Sequence, residues 1–237
     1  MARCIIQNQD PMKLKYYGHS TFGLETKGTK LLFDPFISPN ERAKDIKVDQ
    51  IEADYVLVSH GHEDHVADAV DIAKRTGATL ISNFEIINWF GEKGLPGHPM
   101  NHGGKNKFDF GIVKYVNAIH SSVLPDGTYG GNPGGFVIWN DEGCFYFAGD
   151  TALTMDMKLI PMTCPALDFA ILPIGDNFTM GYEDAVIAAE YINCEKIIGC
   201  HYDTFGYIEI DHKAAEKAFA DKGKELILLP VGGTLQV

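Results

Sequence analysis

The chain lacks any apolar run long enough to cross a membrane. Its longest apolar stretches, such as residues 55–58 and 169–173, fall well short of the ~18 uncharged apolar residues a span needs. Residues 1–11 are polar and lack the apolar run and small-residue cleavage site of a secretory signal. They read as a loose extension before a first strand at Met12. Positive charge is scarce: 20 Lys and Arg stand against 32 Asp and Glu, for a formal net charge of −12. Binding to nucleic-acid backbone draws on Lys and Arg, so this balance makes a nucleic-acid partner an unfavoured expectation. None of the five cysteines forms a C-x-x-C pair and their number is odd. A disulfide framework is therefore not expected, each cysteine reads as a small buried residue, and a reducing cytoplasm fits best.

Linkers and low-complexity tracts are also missing. Residues 12–237 read as one domain, with 45 % hydrophobic residues to fill a sizeable core. Three short strands at 13–18, 22–26 and 30–33 open the chain, with a Lys27-Gly28 turn between the last two. A strand at 54–59 leads into a helix over 66–76 stopped by Gly77, then a strand at 79–82 and a helix over 83–92 capped by Asn83. A loop over 94–104 precedes strands near 108–110 and 113–118, and further strands are expected at 135–139, 144–148, 166–173 and 196–200. Helices are expected over 183–192 and 212–222, with a last clear strand at 226–229. Hairpins followed by alternating strands and helices, twice over, favour two sheets with helices outside, an α/β (α+β) arrangement. The two halves also hint weakly at internal pseudo-symmetry.

What the sequence does contain is a dense ligand cluster. Ser59-His60-Gly61-His62-Glu63-Asp64-His65 places three imidazoles and two carboxylates within six residues at a strand end, although the whole chain has only nine histidines. Imidazole nitrogen and carboxylate oxygen are common ligands of zinc and related divalent ions. His60 and His62 lie two residues apart, so an extended backbone points both the same way. His120, Asp150 and His201 each stand at the end of an expected strand. Ligands at strand ends gather at one sheet edge, where α/β proteins tend to place their sites.

The ordered pattern H-x-H-x-D-H, then His, then Gly-Asp-Thr, then a final His resembles the metallo-β-lactamase superfamily. Leu31-Leu32-Phe33-Asp34-Pro35 is similar to a further segment of it. Gly18-His19-Ser20, residues 98–101 and residues 173–181 look like the branch near the ascorbate-6-phosphate lactonases. The resemblance implies a four-layer αββα sandwich. It implies that His60, His62 and His120 bind one metal, that Asp64, His65 and His201 bind a second, and that Asp150 bridges them. The ions implied are zinc, with manganese, nickel or iron as alternatives. His62 stands where flavodiiron relatives carry Glu, which argues for hydrolysis.

The expected chemistry is attack by an activated hydroxide on a small ester, lactone or phosphodiester. Asp64 is read as a proton carrier, with His19 or a metal-bound water as rival donors to the leaving group. Asp34 is read either as an acceptor for a ligand imidazole or as a turn residue before Pro35. Ser121 and Thr151 follow ligands and either bond to them or cap the next element. His98 and Asn101 are placed in a pocket wall or lid, and Asn177 either contacts substrate or forms a turn. The competing readings are a nuclease-type phosphodiesterase and a non-catalytic metal-binding scaffold. A small-molecule substrate is expected, and a homo-oligomer is left open.

Overall fold

The computed structural model describes residues 12–237, so the extension read over 1–11 lies outside the described residues. The first sheet begins with β1 (Lys13–Gly18), β2 (Thr21–Thr26) and β3 (Thr29–Phe33), joined antiparallel. Lys27 and Gly28 turn between β2 and β3 with φ of 51° and 73°, the doubly left-handed backbone that a two-residue hairpin needs. β4 (Tyr55–Leu57), β5 (Thr79–Asn83) and β6 (Gly97–Met100) then add in parallel. Between them lie α1 (Glu63–Val66), α2 (Ala69–Thr76) and α3 (Phe84–Gly91). The Asn83 side chain accepts from the Ile86 N–H at 2.9 Å and caps α3.

The second sheet repeats the plan. β7 (Lys105–Phe108), β8 (Gly111–Asn117), β9 (Gly134–Trp139) and β10 (Cys144–Phe147) pair antiparallel. α4 (Ile160–Thr163) follows β10, and β11 (Phe169–Pro173) lies parallel beside that strand. α5 (Tyr182–Tyr191), β12 (Lys196–Cys200), α6 (His212–Ala220) and β13 (Glu225–Ile227) complete the parallel half. β14 (Thr234–Gln236) then returns to pair with β1.

Aromatic residues fill the space between the sheets. Phe33 and Phe147 meet across it at 4.9 Å between ring centroids, and Phe145 stacks on Phe169 at 5.0 Å. The outer face of the first sheet buries Val56 and Leu80 against Ile72, Ile86 and Phe90. The outer face of the second buries Tyr146, Ala170 and Ile197 against Val186, Ala189 and Phe219. The architecture is a four-layer αββα sandwich: the two sheets with outer helices match the sequence pattern, and the four layers match what the resemblance implied.

Local expectations need correction at four points. The strand expected near 108–110 falls on the turn between β7 and β8, since Asp109 and Phe110 lie outside both. The helix expected over 66–76 breaks at residues 67–68, because the buried Asp68 carboxylate accepts from the Ile37 and Ser38 N–H groups at 2.6 and 2.9 Å. The loop expected over 94–104 contains β6, whose Pro99 is tolerated because this is an edge strand. The strand expected to be last, at 226–229, is shorter and is followed by β14. Among the described residues, no helix is long and apolar enough to cross a membrane.

Candidate metal centre

Six strands running in one sense end at the same edge of the sandwich, and each end delivers a polar side chain. His19 follows β1, Asp34 follows β3 and the Ser59–His65 segment follows β4. His120, Asp150 and His201 follow β8, β10 and β12. His19, Asp34 and His201 hold φ of 55°, 41° and 55°, a left-handed conformation sparsely used by residues other than glycine. Such backbone persists where its surroundings over-determine it, often at functional sites. Here the His201 N–H donates to the His19 carbonyl at 2.9 Å and ties one sheet to the other.

Asp150 lies at the centre of the side chains so gathered. Its Oδ2 is 3.0 Å from His201 Nε2, 3.3 Å from His65 Nε2, 3.5 Å from His120 Nε2 and 3.9 Å from His60 Nε2. On one side, ligand atoms of His60, His62 and His120 all lie within 4.8 Å of one another. On the other, the same holds for His19, Asp64, His65 and His201. Asp64 Oδ2 is 3.7 Å from His65 Nε2 and 3.9 Å from His201 Nε2.

The hydrogen bonds around these rings limit what the arrangement can hold. The fully buried Asp34 carboxylate accepts from the Ser59 N–H at 2.7 Å, the Ser59 hydroxyl at 2.5 Å and His65 Nδ1 at 2.8 Å. The Ser59 hydroxyl donates its proton to Asp34, so it accepts from His60 Nδ1 at 2.9 Å. In the neutral rings, both protons are then on Nδ1; the Nε2 lone pair of His65 faces Asp150 at 3.3 Å, while that of His60 lies 3.0 Å from His62 Nδ1 and 3.9 Å from Asp150. Buried His65 Nε2 and Asp150 Oδ1 have no hydrogen-bond partner among the described residues. Buried polar atoms are rarely left so, and lone pairs converging on carboxylates suit divalent cations. Replacing Asp34 with Asn removes the charge that fixes both rings. Metal affinity is expected to fall roughly 10–100-fold, read by competition with a chelating dye. Unchanged affinity would mean that the ligand rings do not depend on Asp34.

Burial and neighbours also set the charge of these groups. Burial, then the nearby His65, hold His60 well below the usual imidazole range. Burial and His201 bring His19 down to about 4. Burial likewise lowers His62 and His120. Burial also opposes charge on His65, but Asp150 and Asp64 outweigh it and raise that ring well above 6.5. Burial would raise Asp150 and Asp64, yet the surrounding imidazoles hold both below the usual carboxylate range. A site that would draw a proton onto His65 would draw a divalent cation as well.

These shifts predict how the metal-free protein responds to acid. Between pH 6.5 and about 4 the unfolded chain takes up a proton at His19 that the folded chain refuses. Stability is therefore lost as pH falls through that window, by up to ~1.4 kcal/mol per unit of pH for one such ring. His60, His62 and His120 act with the same sign, while the raised His65 acts oppositely, its contribution disappearing as pH rises through its folded value. Urea midpoints of chelator-treated protein should fall from pH 6.5 to 4.5. Midpoints that stay level would contradict a net refusal of protons by the folded site.

Ser121 reaches the cluster, with its hydroxyl 3.2 Å from His62 Nε2. Thr151 contacts no ligand side chain; its hydroxyl accepts from the Ile119 N–H at 3.0 Å and so joins the two loops bearing His120 and Asp150. His98 and Asn101 line a pocket with Phe84 and Lys105, but none of the clustered histidines and carboxylates borders it. His98 lies in edge strand β6 with its ring 5.0 Å from that of Phe108, and the Asn101 side chain accepts from the His102 N–H. Asn177 is exposed in a left-handed turn beyond β11. Sequence reasoning missed three residues. Ser59 links Asp34 to His60, Ser122 accepts from the Gly61 N–H at 3.0 Å, and Thr204 lies 2.9 Å from His19 Nδ1. Only Ser59 carried a signal, its place immediately before His60 at a strand end.

The fold has counterparts among known proteins. A family model described as a beta-lactamase superfamily domain matches residues 13–201. The chain belongs to the metallo-β-lactamase superfamily. Within that family it is a metal-dependent hydrolase. It is 58 % identical to a UPF0173 metal-dependent hydrolase of Christiangramia forsetii, over 95 % of this chain and 100 % of that protein. A UPF0173 metal-dependent hydrolase of Methylacidiphilum infernorum is 52 % identical over 94 % and 99 %. Among solved structures, the metallo hydrolase Igni18 of Ignicoccus hospitalis superposes with a TM-score of 0.86 at 34 % identity, covering 94 % of this chain and 97 % of that one.

Proposed function

We propose that the centre holds two divalent ions and hydrolyses a small ester, lactone or phosphodiester carrying an apolar group. The observation that carries this reading is the position of Asp150 Oδ2 between two groups of lone pairs, within 3.9 Å of four imidazole nitrogens. His60, His62 and His120 would hold one ion, and Asp64, His65 and His201 the other, with Asp150 shared. Bound there, the ions would supply a water whose pKa is lowered from 15.7 toward ~7 and positive charge for an oxygen that becomes negative.

The protein's own contribution is to fix and bias these groups. Asp34 and Ser59 set the tautomers of His60 and His65. Asp64 is buried less deeply than Asp150, with its side chain 29 % exposed against 2 %, so it can exchange a proton with solvent or substrate while retaining its place. Large apolar side chains stand exposed on the ligand-bearing loops. Ile119 precedes His120, and Phe205 and Tyr207 follow His201. The Phe205 ring lies 5.3 Å from that of His19, and Phe178 reaches Tyr207 at 6.1 Å. An apolar rim beside a charged centre favours substrates with an apolar acyl or leaving group. Zinc suits the imidazole-rich side, and manganese, nickel or iron are the alternatives.

The test is metal analysis by mass spectrometry with a screen of p-nitrophenyl esters, aryl lactones and bis(p-nitrophenyl) phosphate. About two ions per chain are expected, with turnover lost on chelation and restored by zinc or manganese. A folded protein that takes up one ion or none after supplementation would overturn the two-ion assignment. Turnover unaffected by chelation would overturn the mechanism.

A further inference from the structure

His19 clusters with Asp64, His65 and His201 but was given no ion in the function proposed above, and its contacts fix where its proton lies. The ring is 1 % exposed and lies between His201 and Phe205, at 4.2 and 5.3 Å between centroids. Nδ1 is 2.9 Å from the Thr204 hydroxyl, and Nε2 is 3.0 Å from Asp64 Oδ2. The single proton of the Thr204 hydroxyl is donated to the Tyr202 carbonyl at 3.3 Å, within the same loop. The hydroxyl therefore accepts from His19, and the ring carries its proton on Nδ1. A buried neutral ring so protonated turns the bare Nε2 lone pair on a carboxylate oxygen. Two acceptors at that distance repel unless a cation lies between them.

We infer that His19 is a further protein ligand of the ion held by Asp64, His65 and His201. This rests on the metal reading above and takes His19 out of the role of proton donor, leaving that role to water. The spacing fits. Five ligand atoms about 2.0–2.2 Å from a shared ion, at 90–120° to their neighbours, stand about 2.8–3.8 Å apart. The oxygen of Asp64 lies 3.0, 3.7 and 3.9 Å from the Nε2 atoms of His19, His65 and His201. His19 repeats the device seen at His65, where a carboxylate oxygen on Nδ1 leaves Nε2 free. Thr204 is then a positioning residue. The left-handed backbone at His19, φ 55°, has a use in this arrangement, since it brings β1 to the same ion as β12.

The opposite tautomer is the rival: Nε2–H donating to Asp64 would make His19 only an orienting group. Long-range 1H–15N correlation on ring-labelled protein loaded with zinc separates the two, with His19→Gln identifying the resonance. The expected spectrum shows His19 protonated on Nδ1, with Nε2 shifted as a metal-bound nitrogen. In parallel, calorimetric zinc titration of His19→Gln should show one site weakened on the order of 100-fold and the other unchanged. Gln can still donate to Asp64, so a variant binding both ions within about threefold of the parent overturns the inference, as does a proton found on Nε2. Should the parent itself bind no zinc, the metal reading falls with it. Two bound zinc ions with Nε2 protonated would refute the ligand role of His19 alone.

Discussion

Replacing Asp150 with Asn should lower kcat/KM by ~10³-fold or more, beyond the loss of a single oxyanion-hole donor. The substitution preserves volume at a residue only 2 % exposed, so the fold is not asked to absorb a cavity. It removes the negative charge that His60, His65, His120 and His201 all approach. Two cations held close together repel, and in the proposed centre the shared carboxylate offsets that repulsion. Without it, metal content should fall from about two ions per chain to one or fewer, since an amide oxygen is a weaker ligand than a carboxylate. Metal analysis and a Michaelis–Menten series on the same preparation check both statements. Asp150→Asn with two ions and turnover within tenfold of the parent would remove Asp150 from the centre of the mechanism.

Much of this site is legible in residue spacing alone. His60, His62, Asp64 and His65 are conspicuous because six residues of chain hold them, and His120, Asp150 and His201 because each ends a strand. The illegible part depends on contacts distant in sequence. The helix expected from residue 66 breaks because Asp68 bonds to backbone some 30 residues earlier. β6 is hidden by Gly97 and Pro99, which read as loop until β5 is present to pair with them. The role proposed for His19 rests on its contact with Thr204, 185 residues away. Local spacing finds ligands, but a tautomer is fixed by whichever hydrogen-bond partner the fold brings to the other nitrogen.

The hint of internal symmetry has a structural counterpart. β1, β2 and β3 pair antiparallel and pass into parallel β4, β5 and β6. β8, β9 and β10 followed by β11, β12 and β13 do the same. In this alignment His19 after β1 corresponds to His120 after β8, and Asp34 after β3 to Asp150 after β10. The corresponding carboxylates differ in duty because their surroundings differ. Asp34 is saturated by Ser59 and His65, whereas Asp150 retains an unpartnered buried oxygen. One half therefore supplies an orienting carboxylate and the other a carboxylate free to bind, which places the centre at the seam between them.

That seam makes Gly175 the position where a single methyl group should do most damage. A Cβ there would lie 2.0 Å from the His201 carbonyl oxygen and 3.1 Å from Ile208 Cβ. The obstruction is backbone, so no side-chain rotation relieves it, and β11 must separate from the chain leaving β12. These strands are joined immediately before, where the Ile174 N–H donates to the Cys200 carbonyl at 3.1 Å. His201 must therefore move, and its N–H also holds the His19 carbonyl. Gly175→Ala should cost about 3 kcal/mol of stability, the upper end for forced overpacking. Displacement of this proposed ligand, His201, by about 1 Å should also lower turnover ~10²-fold. Gly206→Ala supplies the contrast, since a Cβ there meets nothing within 4 Å although the residue lies in the same loop as His201. It should unfold within about 0.5 kcal/mol of the parent and keep its turnover. Urea melting and kinetics on the pair decide the matter, because a Gly175→Ala protein as stable and active as Gly206→Ala would show that the centre does not depend on the close approach of β11 to His201.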